Sequence, residues 1–509
     1  MRGLSSEFSP YGWAPSTDEI ARRAGIHPAM VLRYDGNVPS DPPASARPGV
    51  VAASLSEINT YPHGGYGLLV PRIAEYAGVE PENVVLGAGA DDLILLVARA
   101  FAGPGDHVAI HDEPTYPMLR VGSHLAGAEV GDDDPVLTFC CRPHNPSGKL
   151  GELPATRPLA VDEAYFEYAG ESAVGLVKDG VIVIRTFSKA FGLAGARVGY
   201  GVADAATAAE LNARQSPACI STVSAALALA ALESPPNVTS EIEERERLAD
   251  ALGRLGLEPW PSFANFVFVP VEDPAALGDQ LLDEGLAVRV FPDGIRISVR
   301  NREDDDVLLE AIARGLDRPS PVARLGGRRV RRLRATGETR FVVRLVLDGA
   351  GRVRVATGGG IYDHLLEQLA FHGGLDLVLE GVGDLETGPH HTAEDAALAL
   401  GEALDAALGD RRGIARYGNA VVPMDDALAR ASIDLGGRPW CELTLERDPG
   451  LVAHMLGSLT QTGRLGLHLD ATGRDEHHVA EAAFKAVGRA LRAAVRVEGT
   501  GVPSTKGTI

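Results

Sequence analysis

The chain has 509 residues, more than one hydrophobic core usually organises, so two or three domains are expected. Its 45% hydrophobic content is ordinary for a globular protein, and a net charge of −21 argues against nucleic acid or a membrane surface as partner, since both reward a positive field. No apolar stretch approaches a membrane span, the opening MRGLSSEFSPYGW has no signal core, and Cys140, Cys141, Cys219 and Cys441 lack paired spacing, so a reducing, cytoplasmic setting is expected.

Up to residue 316, apolar runs at 84–86, 107–110, 158–161 and 181–186 alternate with helical patterns such as 91–101 and 204–212. This alternation predicts an α/β layer structure with a mainly parallel sheet. Gly87-Ala-Gly89-Ala90-Asp91 stands between a predicted strand and helix, where backbone N–H groups can cradle phosphate. Tyr116, in Glu113-Pro-Thr-Tyr116-Pro, can stack on a flat ring, and Asn145, in Arg142-Pro-His-Asn145-Pro-Ser-Gly148, offers an amide to a phenolic oxygen. Val161-Asp162-Glu163-Ala-Tyr165 ends an apolar run, placing Asp162 at a strand's carboxyl end, where α/β sheets bind ligands. A buried carboxylate there can keep a pyridine nitrogen protonated. In Thr186-Phe-Ser188-Lys189-Ala-Phe-Gly-Leu-Ala-Gly-Ala-Arg197, lysine can give its amine to a phosphorylated aldehyde while Ser188 and Arg197 hold the phosphate. Alone, Lys189 also admits the lesser reading of a loop lysine and Arg197 that of a salt-bridge partner; the other features, in this order, outweigh that reading.

Arg318-Pro-Ser-Pro and Gly326-Gly327 mark a change of texture, so domains are expected at 1–316 and 328–509 with a linker at 317–327. The arginine-dense run at 328–334 is short enough to be a solvated strand or linker. Beyond it lie eight of the chain's 14 histidines. His390-His391-Thr-Ala-Glu394 and His477-His478-Val-Ala-Glu481 each precede an apolar helical pattern, which implies a duplicated half-domain. In each copy the first His and the Glu lie one helical turn apart, and the second His lies three residues before the same Glu. A single such His is usually a satisfied core or surface residue. Two copies, with Asp363-His364 and Leu467-His468, offer nitrogen and oxygen donors without thiolate, which favours a six-coordinate ion such as Mn²⁺ over structural zinc.

The front set, above all S-K-A-F-G-L-A-G-x-R, resembles fold-type I aminotransferases over roughly 30–315, and within them the histidinol-phosphate aminotransferase branch. The resemblance implies a pyridoxal 5'-phosphate-dependent transferase fold, a mainly parallel sheet plus a small domain. Lys189 would bind the cofactor aldehyde and shuttle protons, Asp162 would pair with the pyridinium, and Tyr165 and Asn145 would contact O3′. Ala90, Asp91, Ser188 and Arg197 would bind the cofactor phosphate, and Tyr61, in Asn59-Thr-Tyr61-Pro, would reach that phosphate in a neighbouring subunit, implying a dimer. Arg296 would clamp the amino donor's carboxylate and Arg289 the substrate phosphate. Departures from the pattern include Asp35-Gly36-Asn37-Val38-Pro39 in place of N-E-N-P, and Arg142 and His144 in place of asparagines. Only 13 residues separate Gly148 from Asp162, so the helix between them should be short or missing. Threonine-phosphate decarboxylases share much of the set, so the front half alone also admits a phosphate-substrate decarboxylase or a broad aminotransferase.

The rear motifs, Thr336-Gly-Glu338-Thr, Tyr362-Asp-His364, His390-His391-Thr-Ala-Glu394-Asp, Arg416-Tyr-Gly, Pro423-Met-Asp425-Asp426, Gly437-Arg438-Pro, His477-His478 through Lys485, and Pro503-Ser504-Thr-Lys506, resemble imidazoleglycerol-phosphate dehydratase over about 328–509. The resemblance implies an α+β fold of duplicated half-domains with two Mn²⁺ per site, held by His364, His390, His391, Glu394, His468, His477, His478 and Glu481. Arg416, Arg438, Lys485, Ser504 and Lys506 would grip the phosphate, and Glu338 and Asp425 would lie near the glycerol hydroxyls. Glu394 or Glu481 would move protons, and trimers would assemble toward a 24-subunit shell. The dehydratase product, imidazole-acetol phosphate, is the amino acceptor of histidinol-phosphate aminotransferase, so the fusion implies two consecutive steps with glutamate as donor. A metal-stabilised scaffold carrying one active transaminase is the rival reading.

Overall fold

Apolar runs of Val, Ile and Leu form the central strands of the front unit, and burial on both faces explains their lack of polar alternation. Leu159–Asp162 and Val181–Thr186 are buried at every position. The seven-stranded sheet runs in the order Val84–Gly87, Gly199–Val202, Val181–Thr186, Leu159–Asp162, Leu137–Cys141, His107–Ile110, Glu129–Val130. Gly199–Val202 is antiparallel to both of its neighbours, and the other pairs are parallel. Helices Ala90–Phe101 and Ala205–Arg214 coincide with the expected ones. Between Gly148 and Leu159 the chain forms no helix, as the short spacing required.

The computed structural model describes residues 8–503 apart from 27, 40–42, 44, 47, 57, 63–64, 322–327, 350 and 448–449. The chain divides into two compact units, Met1–Val322 and Ala323–Ile509. Residues 322–327 of the expected linker lie outside the described residues, as do Ser504 and Lys506. A smaller antiparallel sheet completes the front unit, with Gly294–Ser298 between Arg289–Phe291 and Phe266–Pro270. Strand alternation sends Ile295 and Ile297 into a core with Leu248, Leu281 and Leu308, and turns Arg296 and Ser298 to the opposite face.

The rear unit repeats one pattern of three strands, helix, strand, helix. The first copy comprises Arg329–Ala335, Arg340–Val346, Val353–Ala356, Ile361–Gly373, Asp376–Val382 and His390–Leu408. The second comprises Tyr417–Met424, Ala427–Asp434, Trp440–Leu445, Val452–Gly463, Gly466–Thr472 and Glu476–Ala494. In both sheets the first strand pairs with the second, the second with the fourth, and the fourth, in parallel, with the third. Side chains of both halves share one core, in which Leu369, Leu400, Leu456 and Phe484 are nearly fully buried. The basic run is a strand whose Arg334 reaches Asp395 and Glu402. Among the described residues, no helix is long and apolar enough to cross a membrane.

Candidate active sites

The carboxyl ends of Leu159–Asp162 and Val181–Thr186 and the amino end of Ala90–Phe101 open into a cleft of about 620 Å³. Ala90, Asp91, Tyr116, Asn145, Asp162, Tyr165, Ser188, Lys189, Arg197, Arg289 and Arg296 all line it. Tyr61 does not; it is 82% exposed on the front unit's surface.

Asp162 is buried, accepting hydrogen bonds from the Ala164 N–H at 3.1 Å and the Cys141 thiol at 3.8 Å. Burial lifts its carboxyl to about 7, and among the described residues no cation pairs with it. A buried acid without a cation fits a protonated pyridine nitrogen. Lys189 Nζ donates to the Gly36 carbonyl at 3.1 Å; burial first, then the Arg296 charge, bring its ammonium down to about 8, so the free amine is accessible near neutral pH.

Gly89 has φ +86°, a conformation that favours glycine, and a Cβ there would stand 2.6 Å from Arg197 Nη2 and push the guanidinium aside. Tyr116 Oη and Arg197 Nη2 donate to the Asp91 carboxylate at 2.7 and 3.0 Å, which leaves the helix-start N–H groups to an anion. Arg296 donates to Asn145 Oδ1 and to the Asp35 carbonyl, while its buried Nε has no partner among the described residues. Its guanidinium lies 5.3 and 5.8 Å from the Phe266 and Phe291 ring centres. These residues fit a phosphorylated pyridine aldehyde and a carboxylate beside it.

In the rear unit the histidines form two sets that exchange members between the halves. His390 and Glu394, on one helix, meet His454 from the second half; their ligand atoms lie within 4.8 Å of one another. His477 and Glu481 meet His364 from the first half, with Glu481 Oε1 at 2.9 Å from His477 Nε2 and 3.1 Å from His364 Nε2. Nitrogen and oxygen donors so placed fit a divalent cation. The side chain of Asp475 caps the second helix through the His477 and His478 N–H groups, fixing where the doublet begins.

His391 and His478 are each held through Nδ1 by an aspartate, Asp384 at 2.9 Å and Asp426 at 2.6 Å. Such a contact orients an imidazole and turns its other nitrogen outward. Glu338 approaches His391 at 3.5 Å and Asp425 approaches His478 at 3.5 Å, each from a hairpin turn.

His468 departs from expectation. In Gly466–Thr472 the leucines at 467 and 469 face the core, so His468 points out of the sheet's open face. There it lines a cleft of about 520 Å³ with Arg438, Asp434, Tyr417 and Trp440. His454, which the sequence motifs did not single out, stands with His390 and Glu394 in the place expected of His468, and matches His364 on the equivalent helix of the repeat. The residues expected to hold the substrate phosphate are also divided within the chain. Arg416 pairs with Asp434 at 2.7 Å, whereas Lys485 sits against Glu481 and the Met424 sulfur.

The family model for aminotransferase class I and II matches residues 32–132 and 133–312, and that for imidazoleglycerol-phosphate dehydratase matches 357–491. The imidazoleglycerol-phosphate dehydratase of Methanothermobacter thermautotrophicus is 49% identical over 190 residues, covering 36% of this chain and 98% of the relative. That of Salinispora tropica is 48% identical over 198 residues, covering 35% and 96%. The histidinol-phosphate aminotransferase of Sinorhizobium meliloti, solved with pyridoxal-5'-phosphate, superposes with a TM-score of 0.54 at 26% identity, covering 62% of this chain and 98% of that one. The chain thus belongs to two families at once, aminotransferase class I and II through its front unit and imidazoleglycerol-phosphate dehydratase through its rear.

Proposed function

We propose that this chain is a bifunctional enzyme of histidine biosynthesis. Its rear unit dehydrates imidazoleglycerol phosphate to imidazole-acetol phosphate, and its front unit transaminates that ketone with glutamate to histidinol phosphate. The observation that carries the reading is the coexistence, on one chain, of the Lys189–Asp162 cleft and the doubled His–Glu sets. Substrate chemistry links them, since the product of one family is the acceptor of the other.

In the front cleft pyridoxal phosphate, when bound, supplies an electron sink for the donor's α-carbon. Asp162 holds the proton on the ring nitrogen, Tyr165 and Asn145 address the ring oxygen, and Ser188, Arg197 and the N–H groups of Ala90 and Asp91 hold the phosphate. Lys189 Nζ would hold the cofactor's aldehyde and, as a free amine, would take up and return the donor's α-proton. Arg296 orients the donor through its carboxylate, and Arg289 receives the acceptor's phosphate.

In the rear unit manganese, two ions per site, supplies Lewis acidity at the imidazole nitrogens. His364, His477 and Glu481 would hold one ion and His390, Glu394 and His454 another, and His391 and His478, each oriented by an aspartate, would offer further imidazoles. Glu394 or Glu481 moves the substrate's protons, and Arg416, Arg438, Lys485, Ser504 and Lys506 hold its phosphate. We place the enzyme in the cytoplasm, its domains at 1–316 and 328–509, with dimeric contacts through the front, where Tyr61 reaches a neighbour's cofactor, and trimeric contacts building toward a 24-subunit shell through the rear.

A coupled assay on the purified protein with Mn²⁺ and pyridoxal phosphate tests the reading. Imidazoleglycerol phosphate plus glutamate should yield histidinol phosphate and 2-oxoglutarate. Lys189→Ala should stop the sequence at imidazole-acetol phosphate, and His391→Ala should stop it before the first product. Carbon dioxide released from a phosphorylated amino acid, without 2-oxoglutarate, would overturn the front assignment.

A further inference from the structure

Asn37 is 2% exposed and holds φ at +51°, a backbone conformation that Asn tolerates and most residues avoid. Every polar group it has is engaged. Its N–H donates to Ser298 Oγ at 2.8 Å, its carbonyl accepts from Asn265 Nδ2 at 3.0 Å, and its Oδ1 lies 2.9 Å from Ser298 Oγ, whose one proton it shares with the Tyr34 carbonyl at 2.7 Å. Its Nδ2 donates to Tyr165 Oη at 3.0 Å. A second amide reaches the same phenol: Asn145 Nδ2 lies 3.5 Å from Tyr165 Oη. The Asn145 amide has only one workable orientation, because Arg296, which can only donate, occupies its Oδ1.

A phenol oxygen has two acceptor positions and one proton. The Asn37 amide fills one acceptor position at 3.0 Å and the Asn145 amide stands toward the other at 3.5 Å, which turns the proton toward the cleft that Tyr165 lines. We infer that Asn37 is a positioning residue for the transamination site: it compels Tyr165 to donate its proton to the ring oxygen of a cofactor in the cleft. Burial keeps the phenol protonated, and the charged groups facing it are Arg296, Asp162 and, 5.7 Å from its ring centre, Lys189 Nζ. The inference rests on the reading of the cleft as a pyridoxal phosphate site.

The test is the pH titration of the bound cofactor's visible band in the full-length holoenzyme. A hydrogen bond donated to the ring oxygen favours the deprotonated form, so losing it raises the midpoint. Asn37→Gly, which accepts the positive φ while deleting the amide, should raise the midpoint by about 1 pH unit. Asn37→Asp should raise it as well, since a carboxylate can only accept and would take the phenol proton. Tyr165→Phe should raise it at least as far, and adding Asn37→Gly to Tyr165→Phe should change nothing more. A midpoint unmoved in both Asn37 variants, or an additive shift in the double variant, would overturn the inference. Failure of the cofactor reading looks different: the wild-type protein would then develop no pH-sensitive visible band with pyridoxal phosphate.

Discussion

Replacing Arg296 by lysine keeps the positive charge and removes the planar fork. In the free enzyme one N–H on each terminal nitrogen is spent on Asn145 and Asp35, and the buried Nε has no partner among the described residues. A carboxylate entering beside this edge gains charge-assisted hydrogen bonds from a guanidinium already held between Phe266 and Phe291. Lysine offers a single ammonium on a flexible stem. Losing one such bond costs about 2 kcal/mol, which corresponds to about a 30-fold rise in the KM for glutamate. The same change leaves Asn145 Oδ1 and the Asp35 carbonyl without their donor, so the front unit should also lose about 1–2 kcal/mol of stability. Steady-state transamination with varied glutamate, beside dehydration measured on the same preparation, separates the effects. An unchanged KM for glutamate in Arg296→Lys would refute the assignment of this arginine to the donor carboxylate.

His454→Ala should lower bound manganese and abolish dehydration with transamination intact, whereas His468→Ala should keep its metal; elemental analysis of the two variants decides between the residues. The raised carboxyl of Asp162 gives a pH-dependent stability whose sign follows from proton binding. Its pKa moves from 3.8 unfolded to about 7 folded, so the folded protein binds the extra proton and loses stability as pH rises from about 4 through 7. Cofactor-free Asp162→Asn should therefore melt near the wild type at pH about 4 and above it at pH about 8, and added pyridoxal phosphate should restore the wild type's advantage; equal melting at both pH values would contradict this.

Much of both sites was legible because the chemistry sits in contiguous motifs at the ends of strong elements. Asp162 closes an apolar strand, Lys189 follows another, and the histidine doublets open helices, so local pattern alone fixes their placement. His454 was not legible on those terms. It is a lone histidine on the amphipathic helix Val452–Gly463, without a doublet and without a nearby carboxylate in sequence. Laying that helix over Ile361–Gly373, its counterpart in the repeat, aligns His454 with His364 and would have found it. His468 misled for the opposite reason: it neighbours Leu467 in a strand, and a period of two sends adjacent side chains to opposite faces. Asp304, Asp305 and Asp306 are all buried; Arg300 pairs with Asp304, Arg247 pairs with Asp306, and Asp305 accepts from the Arg300 backbone N–H. Arg247 lies far from Asp306 in sequence, so nothing in local composition announces that pair.

The crossing of His364 and His454 between the duplicated halves has a consequence for how such a protein can be divided. Cut between the repeats, each fragment keeps a His–Glu helix and surrenders the third imidazole that accompanies it. A solitary fragment could recover a full set only by embracing a second copy of itself about a twofold axis. On the proposed metal reading, loading of ions would report that the two repeats have closed on each other and would add one tie between the halves.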